Sequence, residues 1–232
     1  AQRFVDDEIR DTLAPLFTAI AAAEGHAALR GPLHVLAEGL GILPDPALLE
    51  TIAPDIRARL RGIGVRAGRF GLFLPAMLKP RAAVMRARLL ASRAGVPVPD
   101  QPNAGAIALS SPPDWPPGFA ASMGWIEAGP ILLRLDIVER VAGELGWLTR
   151  KRPVALPERL SVRADVLPVV LRRLGFRIVP GEAPGQGGHG PPSPPMLHPP
   201  RRQRAPDPPA PTASPPSREA GFGRVRVDQG PF

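Results

Sequence analysis

Charge is divided along this chain in a way that limits how it can fold. Residues 1–56 carry nine acidic and three basic residues, whereas residues 57–93 carry ten basic residues and no acidic one. The cations of the second segment must therefore either pair with carboxylates of the first segment or face solvent and an anionic partner. Of the 29 basic residues, only Lys79 and Lys151 are lysines. Guanidinium groups bind phosphate oxygens in a forked geometry and stack on bases, which suits a phosphate-rich partner, although a GC-rich genome would also enrich arginine.

Apolar spacing predicts a helical first part, residues 1–94. A helix is expected over about 4–22, with a kink near Pro15. Two further helices are expected over about 32–40 and 46–61, and Pro54 could interrupt the second of these in its middle. Short apolar stretches between glycines predict a strand or hairpin over 63–74.

Residues 78–94 predict a helix that is apolar on two opposite sides. At 100° per residue, Leu78, Ala82, Met85 and Leu89 share one face. The opposite face carries Ala83, Ala87, Leu90 and Ala94, and two arginine stripes, Arg81 with Arg88 and Arg86 with Arg93, lie between the faces. We expect this helix to be packed on both sides, with its arginines along the seams.

The second half predicts a long irregular connection, residues 95–130, and then a winged-helix-like unit, residues 131–179. A strand over 131–135 precedes a helix with Asp136 and Glu139 at capping-box spacing and Gly146 as its end. A second helix over about 166–174 is expected to have Asp165 as N-cap and to end at Gly175, before a strand over 176–179. The predicted fold class is mainly α with small β elements (α+β).

Fifteen of the 33 prolines fall between Pro180 and Phe232. This composition predicts a disordered proline-rich tail over 180–232, with a small basic cluster at Arg201, Arg202 and Arg204. The chain has no cysteine and no apolar run of about 18 residues, so we expect a cytoplasmic protein without a membrane partner. It begins at Ala1 next to a predicted helix, and we therefore expect it to be a piece of a longer polypeptide.

Motifs for chemistry are missing from the sequence. Neither lysine follows a glycine, so there is no P-loop, and the spacing Gly62, Gly64, Ala67 follows a helix where a dinucleotide-binding turn would follow a strand. The four histidines lack the paired spacing of a zinc site. We therefore expect no catalytic residue, metal or cofactor in this chain.

The remaining candidates for function are the cations of residues 57–93, which would grip a single-stranded nucleic acid through its phosphates without sequence specificity. Phe70 and Phe73 could stack on bases, although aromatic residues in such a run are more often core. The alternatives are a scaffold whose arginines form internal ion pairs, and a winged-helix DNA reader using Arg172 and Arg173. The predicted nucleic-acid-binding residues are Arg57, Arg61, Arg66, Arg69, Lys79, Arg81, Arg86, Arg88 and Arg93.

Several stretches resemble the C-terminal region of alphaproteobacterial helicase-related proteins, which are similar to the DExH RNA helicase of the mitochondrial degradosome. They are GIGVRAGRFGLFLPAMLKP (62–80), PPGFAASMGW (116–125), RLDIVERVAGEL (134–145) and VLRRLGFRIV, within residues 167–179. The resemblance covers about residues 1–179.

This resemblance implies a parent enzyme that unwinds nucleic acid with ATP and Mg²⁺ on two RecA-like motor domains. None of the family's catalytic motifs lies in these 232 residues. The expected role is therefore a non-catalytic accessory region that binds single-stranded RNA or DNA, with upstream motor domains of the same polypeptide and a degradosome-like nuclease as further candidate partners.

Overall fold

The computed structural model describes residues 2–110, 115–156, 165–181 and 193–200, all within one compact unit. Over these residues the protein has an α+β architecture of eight α-helices and nine short strands. The strands form antiparallel sheets, three of them in the described residues.

Among the first four helices, Pro54 separates two helices where the apolar spacing predicted one. The helix predicted over 46–61 is two helices, because Pro54 has no amide hydrogen to donate and favours an extended residue before it; Ala53 has φ −61° and ψ 151°. Asp45 caps the first of the two by accepting from the amides of Ala47 and Leu48. The bounds are α1 Gln2–Ala22, α2 Ala27–Glu38, α3 Pro46–Thr51 and α4 Pro54–Gly62.

The hairpin predicted over 63–74 is confirmed and forms two strands of the first sheet. Its strands, β2 Arg66–Ala67 and β3 Leu72–Phe73, pair antiparallel, and β1 Ile42–Leu43 adds to the other side of β3. A 3₁₀ turn over Pro75–Leu78 then leads into α5, Pro80–Ala94.

Helix α5 is packed on two sides, as its sequence predicts. Ala82 and Leu89 contribute to a core with α1–α4 and the first sheet. On the opposite side, Ala87 lies in a separate core with Phe119 and Trp125, and Ala83 and Leu90 pack against it. The arginine stripe with Arg86 and Arg93 lies where α5 meets the end of α2, whereas Arg81 and Arg88 of the other stripe are exposed.

The prediction of an irregular connection over 95–130 is wrong in part. The segment contains β4 Ala108–Leu109, α6 Phe119–Ser122 and β5 Trp125–Glu127. Both strands pair with β6 Leu132–Arg134, in the order β4-β6-β5. Strands this short form through pairing with a partner rather than from local preference, so periodicity does not reveal them.

The C-terminal part combines α7 Leu135–Leu148 and α8 Leu167–Arg173 with a third sheet. Gly146 does not end α7, which continues to Leu148. Gly175 does follow the end of α8, with φ +87°, a conformation suited to glycine. The third sheet has the order β7-β9-β8, formed by β7 Val154–Ala155, β8 Arg177–Val179 and β9 Met196–His198.

Strand β9 corrects the prediction that disorder begins at residue 180. It is the middle strand of its sheet, and Leu197 is fully buried against α7 and α8. The other predictions for the tail, including the basic cluster at Arg201, Arg202 and Arg204, concern residues outside the described ranges.

Candidate nucleic-acid interface

Arg86 is the most deeply buried charged residue among those described, with 0% of its surface exposed. Its Nε donates to the carbonyl oxygen of Leu40 at 2.9 Å, and its Nη2 donates to that of Gly39 at 3.0 Å and to that of Ser122. Loss of hydration lowers the pKa of Arg86 to about 9. The guanidinium remains charged at neutral pH, but it cannot reach a phosphate, so its assignment to a nucleic-acid contact is wrong.

Arg93, in the same stripe of α5, also donates to the end of α2. Its Nη1 reaches the carbonyl oxygen of Glu38 at 2.8 Å. The last carbonyls of a helix have no partner within the helix and carry the negative end of its dipole, so cations stabilise them. The chain leaves α2 through Leu40, whose φ of +51° is unusual for a residue other than glycine.

Arg57 has a similar role at the end of α3. Its side chain is half-buried, with Nε donating to the carbonyl oxygen of Ile52 at 3.0 Å and Nη2 donating to that of Leu49. The fold thus uses Arg57, Arg86 and Arg93 to satisfy carbonyl oxygens. This is a structural role that the prediction of phosphate contacts did not include.

Arg81 forms a salt bridge with a carboxylate of residues 1–56, as the scaffold alternative predicts. It binds Glu8 of α1 through Nε at 3.2 Å and Nη2 at 2.9 Å. Within the described part of the chain, it is the one predicted site residue that forms a salt bridge with a carboxylate of residues 1–56. Both predictions are therefore incomplete, since most of the internally used arginines bind backbone oxygens rather than early carboxylates.

Five of the nine predicted residues are exposed and have side chains that form neither an ion pair nor a hydrogen bond with a described residue. They are distributed over several elements. Arg61 lies in the last turn of α4, Arg66 on β2, Arg69 in the hairpin turn, Lys79 just before α5, and Arg88 on α5.

The hairpin turn that carries Arg69 is held by Glu139 of α7. The carboxylate accepts from the amides of Arg69 at 2.9 Å and Phe70 at 2.6 Å. Gly68 allows this approach, because a Cβ there would overlap the carboxylate. Neither Glu139 nor Asp136 is the N-cap of α7, because that position is Arg134, which makes no side-chain cap bond. Asp136 does accept from the first-turn amide of Ile137 at 3.0 Å, and it also binds the Arg134 side chain at 2.7 Å. The N-cap of α8 is likewise Val166 and not Asp165.

This arrangement places the Arg69 side chain against the end of α8. A Cβ added to Gly175 would come within 2.5 Å of Nη2 of Arg69. Arg172, Arg173 and Arg177 are exposed and lie within three residues of Gly175, hence within about 11 Å of it along the chain. We refer to Arg69, Arg172, Arg173 and Arg177 as the Arg69 cluster.

The charge of the Arg69 cluster is only partly offset. Glu139 accepts from the backbone amide of Arg69, and none of the four arginine side chains forms a salt bridge with a described residue. The Arg69 guanidinium carbon lies 5.4 Å from the centre of the Phe70 ring, which restricts its orientation. The cluster joins two stretches a hundred residues apart, so only the folded structure brings it together.

The aromatic residues predicted for stacking are used by the core. Phe73 is buried in the first core, and the half-buried Phe70 packs against both that core and the one formed by α7, α8 and the third sheet. The prediction is wrong for Phe73, whose ring has no face open to a base.

Other kinds of site have little support in the described residues. No group of three or more histidine or acidic side chains is placed to hold a metal ion, and none of the helices is long and apolar enough to cross a membrane. Comparison with known proteins yields no matching family model, no matching curated protein and no matching solved structure.

Proposed function

We propose that this chain binds the sugar-phosphate backbone of single-stranded RNA or DNA through the Arg69 cluster, as a non-catalytic accessory region of an ATP-dependent helicase. The observation that carries the proposal is the close approach of the Arg69 side chain to Gly175. Through it, an arginine of residues 57–93 joins Arg172, Arg173 and Arg177 near the end of α8. Guanidinium groups in such a cluster can each bind phosphate oxygens.

The helicase part of the proposal rests on the sequence resemblance. The ATPase motor, with its ATP and Mg²⁺, would be supplied by upstream domains of the same polypeptide. The isolated chain is then expected to bind nucleic acid without hydrolysing ATP.

The order of elements supports a winged-helix-like unit within the proposal. Helix α7, strand β7, helix α8 and the strands β8 and β9 follow one another, with α8 packed on α7 through Val170 and Leu171. In a helix-turn-helix unit the second helix is the one that faces the nucleic acid. Arg172 and Arg173, in the last turn of α8, would be its contacts.

Fluorescence anisotropy with labelled oligo(U) and oligo(dT) tests the proposal on the full chain. Both oligonucleotides should bind, and Arg172→Gln with Arg173→Gln should weaken both to a similar extent, because phosphates carry no sequence information. Arg3→Gln with Arg30→Gln is the matched control, since it removes two exposed cations outside the cluster. Absent binding, or equal losses in both double variants, would refute the assignment to this cluster.

A scaffold that packs against motor domains is a second candidate. Helix α1 exposes Phe4, Val5, Phe17 and Ile20, and apolar side chains of this size are common in protein interfaces. Under this alternative, the cluster substitutions would leave the affinity for both oligonucleotides unchanged.

A further inference from the structure

Trp147 is the most exposed tryptophan of the chain, with 68% of its surface accessible. It lies in the last turn of α7, whose core side carries Val138, Ala142 and Leu145. The indole belongs to none of the hydrophobic core clusters. Aromatic side chains are enriched on the surfaces where proteins bind their partners, so this exposed ring is a candidate contact.

Two glycines of α7 leave open space near Trp147. Gly143 lies one turn before Trp147, and Gly146 lies directly before it in the chain. A Cβ added at Gly143 or Gly146 would meet nothing within 4 Å. A planar group could therefore approach the ring.

Basic residues precede and follow Trp147 along the chain. Arg140 lies two turns before Trp147 on the same side of α7, about 10 Å away along the axis, and Arg150, Lys151 and Arg152 follow the helix. All four are exposed, and none forms a salt bridge with a described residue.

Hydrogen bonds around Thr149 hold the backbone at the end of α7. Buried Thr149 donates from its backbone amide at 2.9 Å and from Oγ1 at 2.6 Å to the carbonyl oxygen of Leu145. The amide of Arg150 donates to the carbonyl oxygen of Trp147 at 3.3 Å, in the turn that leads into the basic residues.

We propose that Trp147 is a stacking platform for an unpaired base, and that Arg140, Arg150, Lys151 and Arg152 bind the phosphates on either side of it. The proposal rests on the proposed function and deepens it, because an aromatic face selects single strands, whose bases are open, over duplex. Sites for single strands combine such faces with a cationic groove. A membrane surface fits less well, since Arg140 and Glu144 interrupt the apolar side that would have to enter the lipid.

Two probes separate base stacking from phosphate binding: oligo(dT) of fifteen residues, and an abasic oligomer of the same length, which has the phosphates but no bases. On the full chain, Trp147→Ala should weaken oligo(dT) binding by about 5- to 150-fold and leave the abasic oligomer unaffected. Trp147→Phe should retain most of the affinity. The triple variant Arg150→Gln, Lys151→Gln, Arg152→Gln should weaken both probes.

Tryptophan fluorescence provides a second readout of base stacking. Oligo(dT) should quench the emission more than the abasic oligomer does, and Trp147→Phe should abolish the difference. Equal binding of oligo(dT) by the wild type and Trp147→Ala would overturn the platform while leaving the proposed function intact, whereas failure of both probes to bind the wild type would overturn both. A Trp147-dependent blue shift with anionic phosphatidylglycerol vesicles and no response to oligo(dT) would assign the site to a membrane surface and overturn the proposal.

Discussion

Arg86 and Arg93, seven residues apart on α5, donate to carbonyl oxygens at the same place, the end of α2: Arg86 to Gly39 and Leu40, and Arg93 to Glu38. One stripe of the basic helix therefore holds the end of another helix and the left-handed residue that follows it. The other stripe, with Arg81 and Arg88, faces outward.

Replacement of Arg86 should destabilise the fold strongly. Arg86→Met keeps the side chain long but leaves the carbonyl groups of Leu40 and Ser122 without their donor, whereas Gly39 keeps the amide of Ile42. An unsatisfied buried carbonyl costs about 1–3 kcal/mol. Relief of the buried charge offsets part of this, so we expect the free energy of unfolding to fall by about 3 kcal/mol in urea titration. Arg88→Met, on the exposed stripe, should change it by less than about 0.5 kcal/mol. Equal stability of the two variants would contradict this role for Arg86.

Arg86→Lys should not rescue the loss. A lysine presents three donors from one nitrogen, whereas the planar guanidinium donates from separate nitrogens to carbonyl groups around its edge. We expect Arg86→Lys to remain at least about 1 kcal/mol less stable than the wild type in the same titration. Wild-type stability would show that charge alone, and not the fork, is required.

Glu139→Gln should loosen the turn that presents Arg69. The neutral amide has one acceptor oxygen for the two amides of Arg69 and Phe70, and the charge that strengthens both bonds is lost. We expect a loss of about 1–2 kcal/mol in the free energy of unfolding, with faster hydrogen exchange at these two amides. Glu144→Gln, an exposed residue of the same helix, is the control and should leave both quantities unchanged.

The Glu8–Arg81 pair should contribute little, because the Arg81 side chain is 64% exposed. A double-mutant cycle with Glu8→Gln and Arg81→Gln should give a coupling of about 0.2–1 kcal/mol at low salt. The coupling should disappear near 1 M salt, where the Debye length is about 3 Å. A coupling that persists at high salt would indicate that this pair is a main support of the α1–α5 contact.

Local signals in the sequence were sufficient for much of the helical framework. The two apolar faces of α5, the hairpin over 63–74 and the end of α8 at Gly175 follow from periodicity and glycine, whose effects act within a few residues. The division of 46–61 at Pro54 is also a local effect, and the sequence marked that position as doubtful.

The parts that the sequence did not reveal depend on distant partners. Strand β4 forms by pairing with β6, and strand β9 forms by pairing with β7 and β8. A strand of two or three residues is too short to show an alternating apolar pattern in the sequence. Glu139 has the spacing of a capping residue, yet its carboxylate is taken by amides seventy residues away. The roles of Arg57, Arg86 and Arg93 also depend on distant or backbone partners. A comparison of acidic and basic residues in the sequence considers only carboxylates as partners, whereas these three arginines bind backbone carbonyl oxygens.

The candidate site was therefore only partly predictable. Sequence reasoning included Arg69 among its candidates and noted Arg172 and Arg173 separately, but nothing local could join them. It named Phe70 and Phe73 as residues that could stack on bases and did not name Trp147, which the expected end of α7 at Gly146 placed in a connection. The basic triplet that follows Trp147 was the signal available for finding it.

The salt dependence of single-strand binding is the most direct test of the proposed interface. Each phosphate contact to a single strand adds about 0.7 to the slope of log Kobs against log salt concentration. We predict a steep loss of oligo(dT) affinity with salt for the wild type, and a slope smaller by about 2 for the variant with Arg69→Gln, Arg172→Gln and Arg173→Gln. A wild-type affinity that does not depend on salt, or a slope that these three substitutions leave unchanged, would contradict the account.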